Sequence, residues 1–166
     1  CEGCKVCVAM CPAGAMQFQE KECGIWYESE TRFGSMLHAR LYPGEENSGR
    51  LVTLLKEKAR EKGEAEGARI ILADGAPGIG CPVISSLAKT DFALMVTEPT
   101  PSGLHDLTRV LDLMVHFKIA AGVVINKYDL NKEYCDSIEA LCKERDLPVL
   151  GHLPLDPVVT EAMCQR

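Results

Sequence analysis

Four short apolar runs, separated by stretches of helical periodicity, constrain this chain more than any other feature. The runs are Ile70–Ala73, ending at Asp74; Phe92–Val96, ending at Thr97-Glu98-Pro99; Gly122–Ile125, ending at Asn126; and Pro148–Leu153, ending at Pro154. Between them, Cys81–Ala88 reads as a helix. Leu104, Leu107, Leu111, Met114 and Phe117 mark a second helix, and Tyr134, Ile138, Leu141 and Cys142 a third. Val158 to Met163 begins a last one. Fully apolar strands alternating with such helices predict an α/β fold, a mostly parallel sheet with helices on both faces. Ligands of such sheets bind outside the carboxyl ends of the strands. The expected binding edge therefore gathers Asp74, Thr97-Glu98, Asn126 and Pro154 to Asp156.

Residues 1 to 30 have a different texture, rich in cysteine and poor in apolar periodicity. Thr31–Tyr42 reads as an extended segment ending at Pro43-Gly44, and Asn47-Ser48-Gly49 introduces an amphipathic helix. Ser48 is its expected N-cap, and Gly63 its expected end. Of the nine cysteines, four form the run Cys1-x2-Cys4-x2-Cys7-x3-Cys11-Pro12. This is the bacterial ferredoxin spacing for [4Fe–4S] clusters. Three thiolates converge from one loop, and small residues such as Gly3, Ala9 and Ala13 let the backbone approach the sulfides. Zinc sites more often use two separated Cys pairs. In two-cluster ferredoxins the fourth cysteine of such a run ligates the other cluster, so Cys11 would join ligands from outside this run. Cys23 is a local alternative as a fourth ligand. The clustering points to a metal site in a reducing, cytoplasmic setting rather than to a disulfide scaffold.

Two strand ends carry nucleotide chemistry. Ile71-Leu72-Ala73-Asp74-Gly75-Ala76-Pro77-Gly78 is an apolar strand ending in an acid and a glycine turn. Asp74 in that position organises Mg²⁺, and Gly75, Pro77 and Gly78 shape a loop whose N–H groups face phosphate oxygens. Asp-Gly is also a common turn dipeptide. Asn126-Lys127-x-Asp129 after a buried strand can set an amide and a carboxylate on a purine edge, with the lysine stem packed on the ring. It can equally be a polar loop in which Asp129 caps the next helix. No G-x-x-x-x-G-K-[ST] phosphate loop occurs in the 166 residues, so this chain alone is expected to bind nucleotide weakly or not at all.

Taken together, these stretches resemble the MinD-like P-loop ATPases with an inserted two-cluster ferredoxin domain. The residues that carry the resemblance are Cys1–Pro12, His38–Val52, Asp74–Val83, Thr97–Leu107 and Val123–Leu130. It implies a division into residues 1–30, part of a [4Fe–4S] ferredoxin insert, and residues 31–166, the C-terminal part of a P-loop ATPase domain whose N-terminal half is missing. It also implies ATP and Mg²⁺ as ligands, Asp74–Gly78 as the Mg²⁺ and switch loop, and Asn126 facing the base. Hydrolysis would be coupled to electron transfer or to iron–sulfur and metal-centre handling, with a redox partner protein and often a homodimer. A ferredoxin module without ATPase activity and a GTPase-type switch or metallochaperone are the alternatives. Cys1 in place of Met, and a last helix running to Arg166, predict that the chain is part of a longer protein.

The net charge of −6 argues against a nucleic-acid backbone as partner. No run approaches the roughly 18 apolar residues of a membrane span, and no secretory signal is visible. Cys81, beside the switch loop, reads as a small buried residue or a redox sensor. Cys135, Cys142 and Cys164 read as core or surface thiols. The four histidines (His38, His105, His116 and His152) show no ligand spacing.

Overall fold

The computed structural model describes residues 3–45 and 49–165. The chain divides into two compact units, Cys1–Ala88 and Lys89–Arg166. Cys1 and Ser48 lie outside the described residues.

In the first unit a one-turn helix α1 (Val6–Ala9) precedes an antiparallel hairpin, β1 (Gly24–Thr31) and β2 (Gly34–Leu41). The sequence predicts only the second arm, as Thr31–Tyr42. The first arm, Ile25-Trp26-Tyr27 leading to Thr31, has the aromatic and β-branched residues of a strand but lacks a sustained alternation. The Thr31 hydroxyl closes the turn, accepting from the Phe33 N–H and donating to the Gly34 carbonyl. Helix α2 (Gly49–Glu66) packs on β2 and on α3 (Cys81–Leu87). Lys62 of α2 pairs with Glu28 at 2.5 Å and Glu66 at 3.0 Å.

Helix α2 does not end at Gly63, as its sequence predicts. Gly63 is buried because Ile71 packs where a β-carbon would stand, 3.1 Å away. The helix stops at Glu66, where Gly67 takes the left-handed conformation. The Ala68 N–H returns to the Gly63 carbonyl and the Gly67 N–H to that of Glu64, a Schellman closure.

The second unit holds a parallel sheet of order β3-β4-β5: β3 (Phe92–Thr97), β4 (Ala120–Asn126) and β5 (Val149–Leu153). Helix α4 (Pro101–Phe117) connects the first pair, α5 (Lys132–Glu144) the second, and α6 (Pro157–Cys164) follows. Leu107 and Leu111 of α4 and Cys135, Ile138 and Cys142 of α5 pack with Val123 and Ile125 of β4. Val123, Ile125 and Ile138 are completely buried. Phe92, Leu94, Val96 and Leu150 remain exposed. Phe92, Leu94 and Val96 alternate along β3 with Ala93, Met95 and Thr97, so they belong to the opposite sheet face.

The pairing of β4 with β5 carries one irregularity. Val123 of β4 pairs with Val149, but Val124 pairs with Gly151, so Leu150 is an extra residue in β5. A one-residue shift exchanges the faces of all later side chains. It sets His152 opposite Ile125, on the face that α5 covers.

The expected first strand is a correction. Among the described residues Ile70–Ala73 pairs with no other strand, and Ile70 and Leu72 are 83% and 91% exposed. An extended apolar segment becomes a strand only when a neighbour takes up its N–H and C=O groups, and among the described residues there is no such neighbour.

Candidate functional site

Three parallel strands place their carboxyl ends at one edge of the second unit, and polar side chains link those ends. At the end of β3, the buried Thr97 hydroxyl donates to the Gly103 carbonyl at 3.2 Å. Thr100 caps α4, accepting from the Gly103 N–H at 3.0 Å. Gly103 is required here, since a β-carbon would collide with the Glu98 carbonyl oxygen. These contacts hold Thr97–Gly103 as a tight, rigid turn.

Glu98, half-exposed on that turn, pairs with the Lys127 ammonium at 2.6 Å. Lys127 adopts the left-handed conformation, φ 53°, which turns the chain sharply at the end of β4. The loop is then tied to β5: the Tyr128 N–H donates to the Leu153 carbonyl at 3.1 Å. The Leu155 N–H donates to the Asp129 carboxylate at 2.8 Å. Asp129 therefore does not cap α5. That role falls to Asn131, which accepts from the Tyr134 N–H at 3.1 Å. Asp156 caps α6 through the Val158 N–H.

Asn126, at the last position of β4, is partly buried. Its amide makes no side-chain hydrogen bond with another described residue. The edge thus offers one uncommitted amide just before a committed lysine and a committed aspartate. Glu98 and Leu155 both lie in the strand-end stretches that the sequence gathers at this edge, but the ties of Glu98 to Lys127 and of the Leu155 N–H to Asp129 are not readable from it.

Asp74, Gly75, Pro77 and Gly78 lie in the first unit, in an irregular segment leading to α3. Asp74 is exposed, and Gly78 takes a left-handed φ of 85°. They and the Asn126 loop fall in different units.

Of the cysteine run, Cys4 and Cys7 are exposed and Cys11 is half-buried. Cys4 precedes α1 and Cys7 lies within it. Cys11 follows at its end, where the Gly14 N–H returns to the Cys11 carbonyl at 3.2 Å. The backbone N–H of Ala15, with those of Met16, Ala13 and Gly14, holds the Cys11 thiol below its ordinary pKa, against a smaller upward push from burial. Such N–H groups facing a sulfur suit a cluster thiolate. The described thiols of the run do not bring three ligand atoms to the spacing of a single bound ion.

Among solved structures, the cell division ATPase MinD of Pyrococcus furiosus matches with a TM-score of 0.56 and 23% identity, covering 71% of this chain and 48% of that one. The fold is MinD-like. The septum site-determining protein MinD of Pyrococcus horikoshii, solved with Mg-ADP, gives a TM-score of 0.56 at 24% identity, with 71% of this chain and 46% of that one covered. Two uncharacterized proteins of Methanocaldococcus jannaschii are related in sequence. MJ0578 is 34% identical over 112 residues, 68% of this chain and 39% of its own length. MJ0579 is 29% identical over 131 residues, 79% of this chain and 46% of its own length. The chain thus spans less than half the length of these relatives. No family model matches it. Among the described residues, no helix is long and apolar enough to cross a membrane.

Proposed function

We propose that this MinD-like chain is the C-terminal portion of an iron–sulfur ATPase that couples ATP binding and hydrolysis to electron transfer or metal-centre handling. One observation carries the nucleotide reading: the uncommitted Asn126 amide at the carboxyl edge of a parallel sheet, in a loop braced by Glu98–Lys127 and Asp129–Leu155. Bracing Lys127 and Asp129 holds the loop that follows Asn126 and so fixes the direction in which Asn126 presents its donor and acceptor, which a purine edge requires. Asp129 then supports the loop rather than contacting the base. The Mg-ADP held by the horikoshii MinD supports a nucleotide at a site of this fold. Asp74, Gly75, Pro77 and Gly78 would serve Mg²⁺ and the γ-phosphate, with the phosphate loop supplied from outside residues 1–166.

Residues 1–30 would be part of a ferredoxin insert, with Cys1, Cys4, Cys7 and Cys11 as [4Fe–4S] ligands. The spacing and the N–H groups around Cys11 support this. A bound cluster supplies one-electron redox chemistry, and this chain supplies its thiolates and the backbone donors that set its charge balance. A redox partner protein and a homodimer belong to the same reading.

The test uses the full-length protein. Prepared without oxygen it should hold about eight iron atoms, as two cubane clusters. Stoichiometric zinc in place of iron would refute the cluster assignment. Asn126→Ala should weaken ATP binding by about 1–3 kcal/mol, the worth of a bidentate contact to a base edge, measured by calorimetric titration. Unchanged affinity would refute the base contact, and tighter binding of GTP than ATP would make the protein a GTPase-type switch.

A further inference from the structure

A second constellation lies between α5 and β5. Cys135 and Glu139 stand four residues apart on α5, so they share one helix face. His152 comes from β5. Their ligand atoms all lie within 4.8 Å of one another, and the His152 Nε2 is 2.8 Å from the Glu139 carboxylate. Two features make this a built site rather than a chance meeting of surface groups. The Cys135 side chain is buried in the core between α5 and β4, beneath the other two. His152 reaches the site only because the extra residue Leu150 shifts the register of β5. In an unbroken ladder His152 would pair with Asn126, and its side chain would fall on the opposite face. Bulges re-aim single side chains in this way beside functional sites. The Tyr128 ring meets the His152 imidazole edge-on, with centroids 5.6 Å apart, and restricts its orientation.

We propose that Cys135, Glu139 and His152 bind one divalent transition-metal ion of the zinc type. A thiolate, an imidazole and a carboxylate form a donor set that borderline-soft ions prefer and that Mg²⁺ and Ca²⁺ do not. Three protein ligands leave a fourth tetrahedral position for water. Glu139 and His152 are partly exposed while Cys135 is inside, so the ion enters from solvent and meets the sulfur last. On binding, the Cys135 thiol proton passes to solvent and the metal replaces the hydrogen bond between Glu139 and His152. The ion would pin α5 to β5 beside the Asn126–Asp129 loop, whose Tyr128 ring packs on His152.

Co²⁺ is the probe, because a thiolate ligand gives it an intense near-ultraviolet charge-transfer band. The titration uses the 166-residue chain carrying Cys1→Ser, Cys4→Ser, Cys7→Ser and Cys11→Ser, since those thiols belong to the other unit and would compete. One equivalent of Co²⁺ should produce the band, Zn²⁺ should displace it, and Zn²⁺ should raise the melting temperature. Adding Cys135→Ser should abolish the band. Glu139→Gln and His152→Gln, both at partly exposed positions that leave the core intact, should each weaken Co²⁺ binding by at least about tenfold. Absence of the band would overturn the proposal. So would a band that survives Cys135→Ser, or affinity unaltered in both glutamine variants.

Discussion

Lys118 and Asp146 end their helices in a conformation that most side chains avoid. Helix α4 closes with Lys118 at φ 55°, the Ile119 N–H bonding to the Met114 carbonyl; α5 closes with Asp146 at φ 53°, the Leu147 N–H bonding to that of Cys142. Both repeat the closure that Gly67 gives α2 without a side-chain penalty. A left-handed residue with a β-carbon costs about 1–2 kcal/mol, and glycine returns part of that as unfolded-state entropy, about 0.5–1 kcal/mol. Lys118→Gly should therefore stabilise the protein by about 0.5–1 kcal/mol, read as an upward shift in thermal unfolding. Lys127 shares the conformation but also holds Glu98, so the same exchange there would sacrifice an ion pair. Glycine spacing signals Gly67. Nothing in the sequence distinguishes Lys118 from other lysines, because the requirement arises from where the next strand must begin.

At the scale of elements, the apolar runs at 92–96, 122–125 and 148–153 became β3, β4 and β5, and the three helical stretches beside them became α4, α5 and α6. The three strands are legible because each run finds a hydrogen-bonding neighbour within its own unit, and β4 at their centre is also buried. Ile70–Ala73 reads the same way in sequence and forms no strand, since composition reports burial preference and cannot report a pairing partner. The carboxyl edge was equally legible in Asn126 and Lys127. The work of Asp129 was not, because its partner Leu155 lies 26 residues away. The bulge at Leu150 leaves no sequence mark either, and His152 consequently read as a bland residue. One element-level test concerns the β3–α4 turn. Gly103→Ala would drive a methyl group into the Glu98 carbonyl oxygen, and a backbone atom cannot swing aside as a side-chain end can. We expect a loss of about 1–3 kcal/mol in denaturant unfolding, accompanied by weaker ATP binding in the full-length protein through displacement of Glu98.

For the whole molecule, the enzymatic reading depends on Asp74, which is exposed and makes no side-chain hydrogen bond or ion pair with another described residue. Asp74→Asn in the full-length protein keeps the shape and removes the charge. The melting temperature should stay nearly unchanged, while ATP hydrolysis should fall at least about tenfold, a barrier rise of about 1.4 kcal/mol. Turnover at the wild-type rate would remove the Mg²⁺ role. The exposed face of β3 and β5 bears on a different property, the behaviour of residues 1–166 in bulk solution. Phe92, Leu94, Val96 and Leu150 form an apolar patch beside an edge of β3 that no other described strand pairs, a combination that favours sticking to other molecules. The net charge of −6 supplies only modest colloidal repulsion, and salt screens it. Light scattering from this chain should accordingly grow at an early rate that rises about as the square of concentration and faster in high salt, so that dilution and low ionic strength prolong its shelf life.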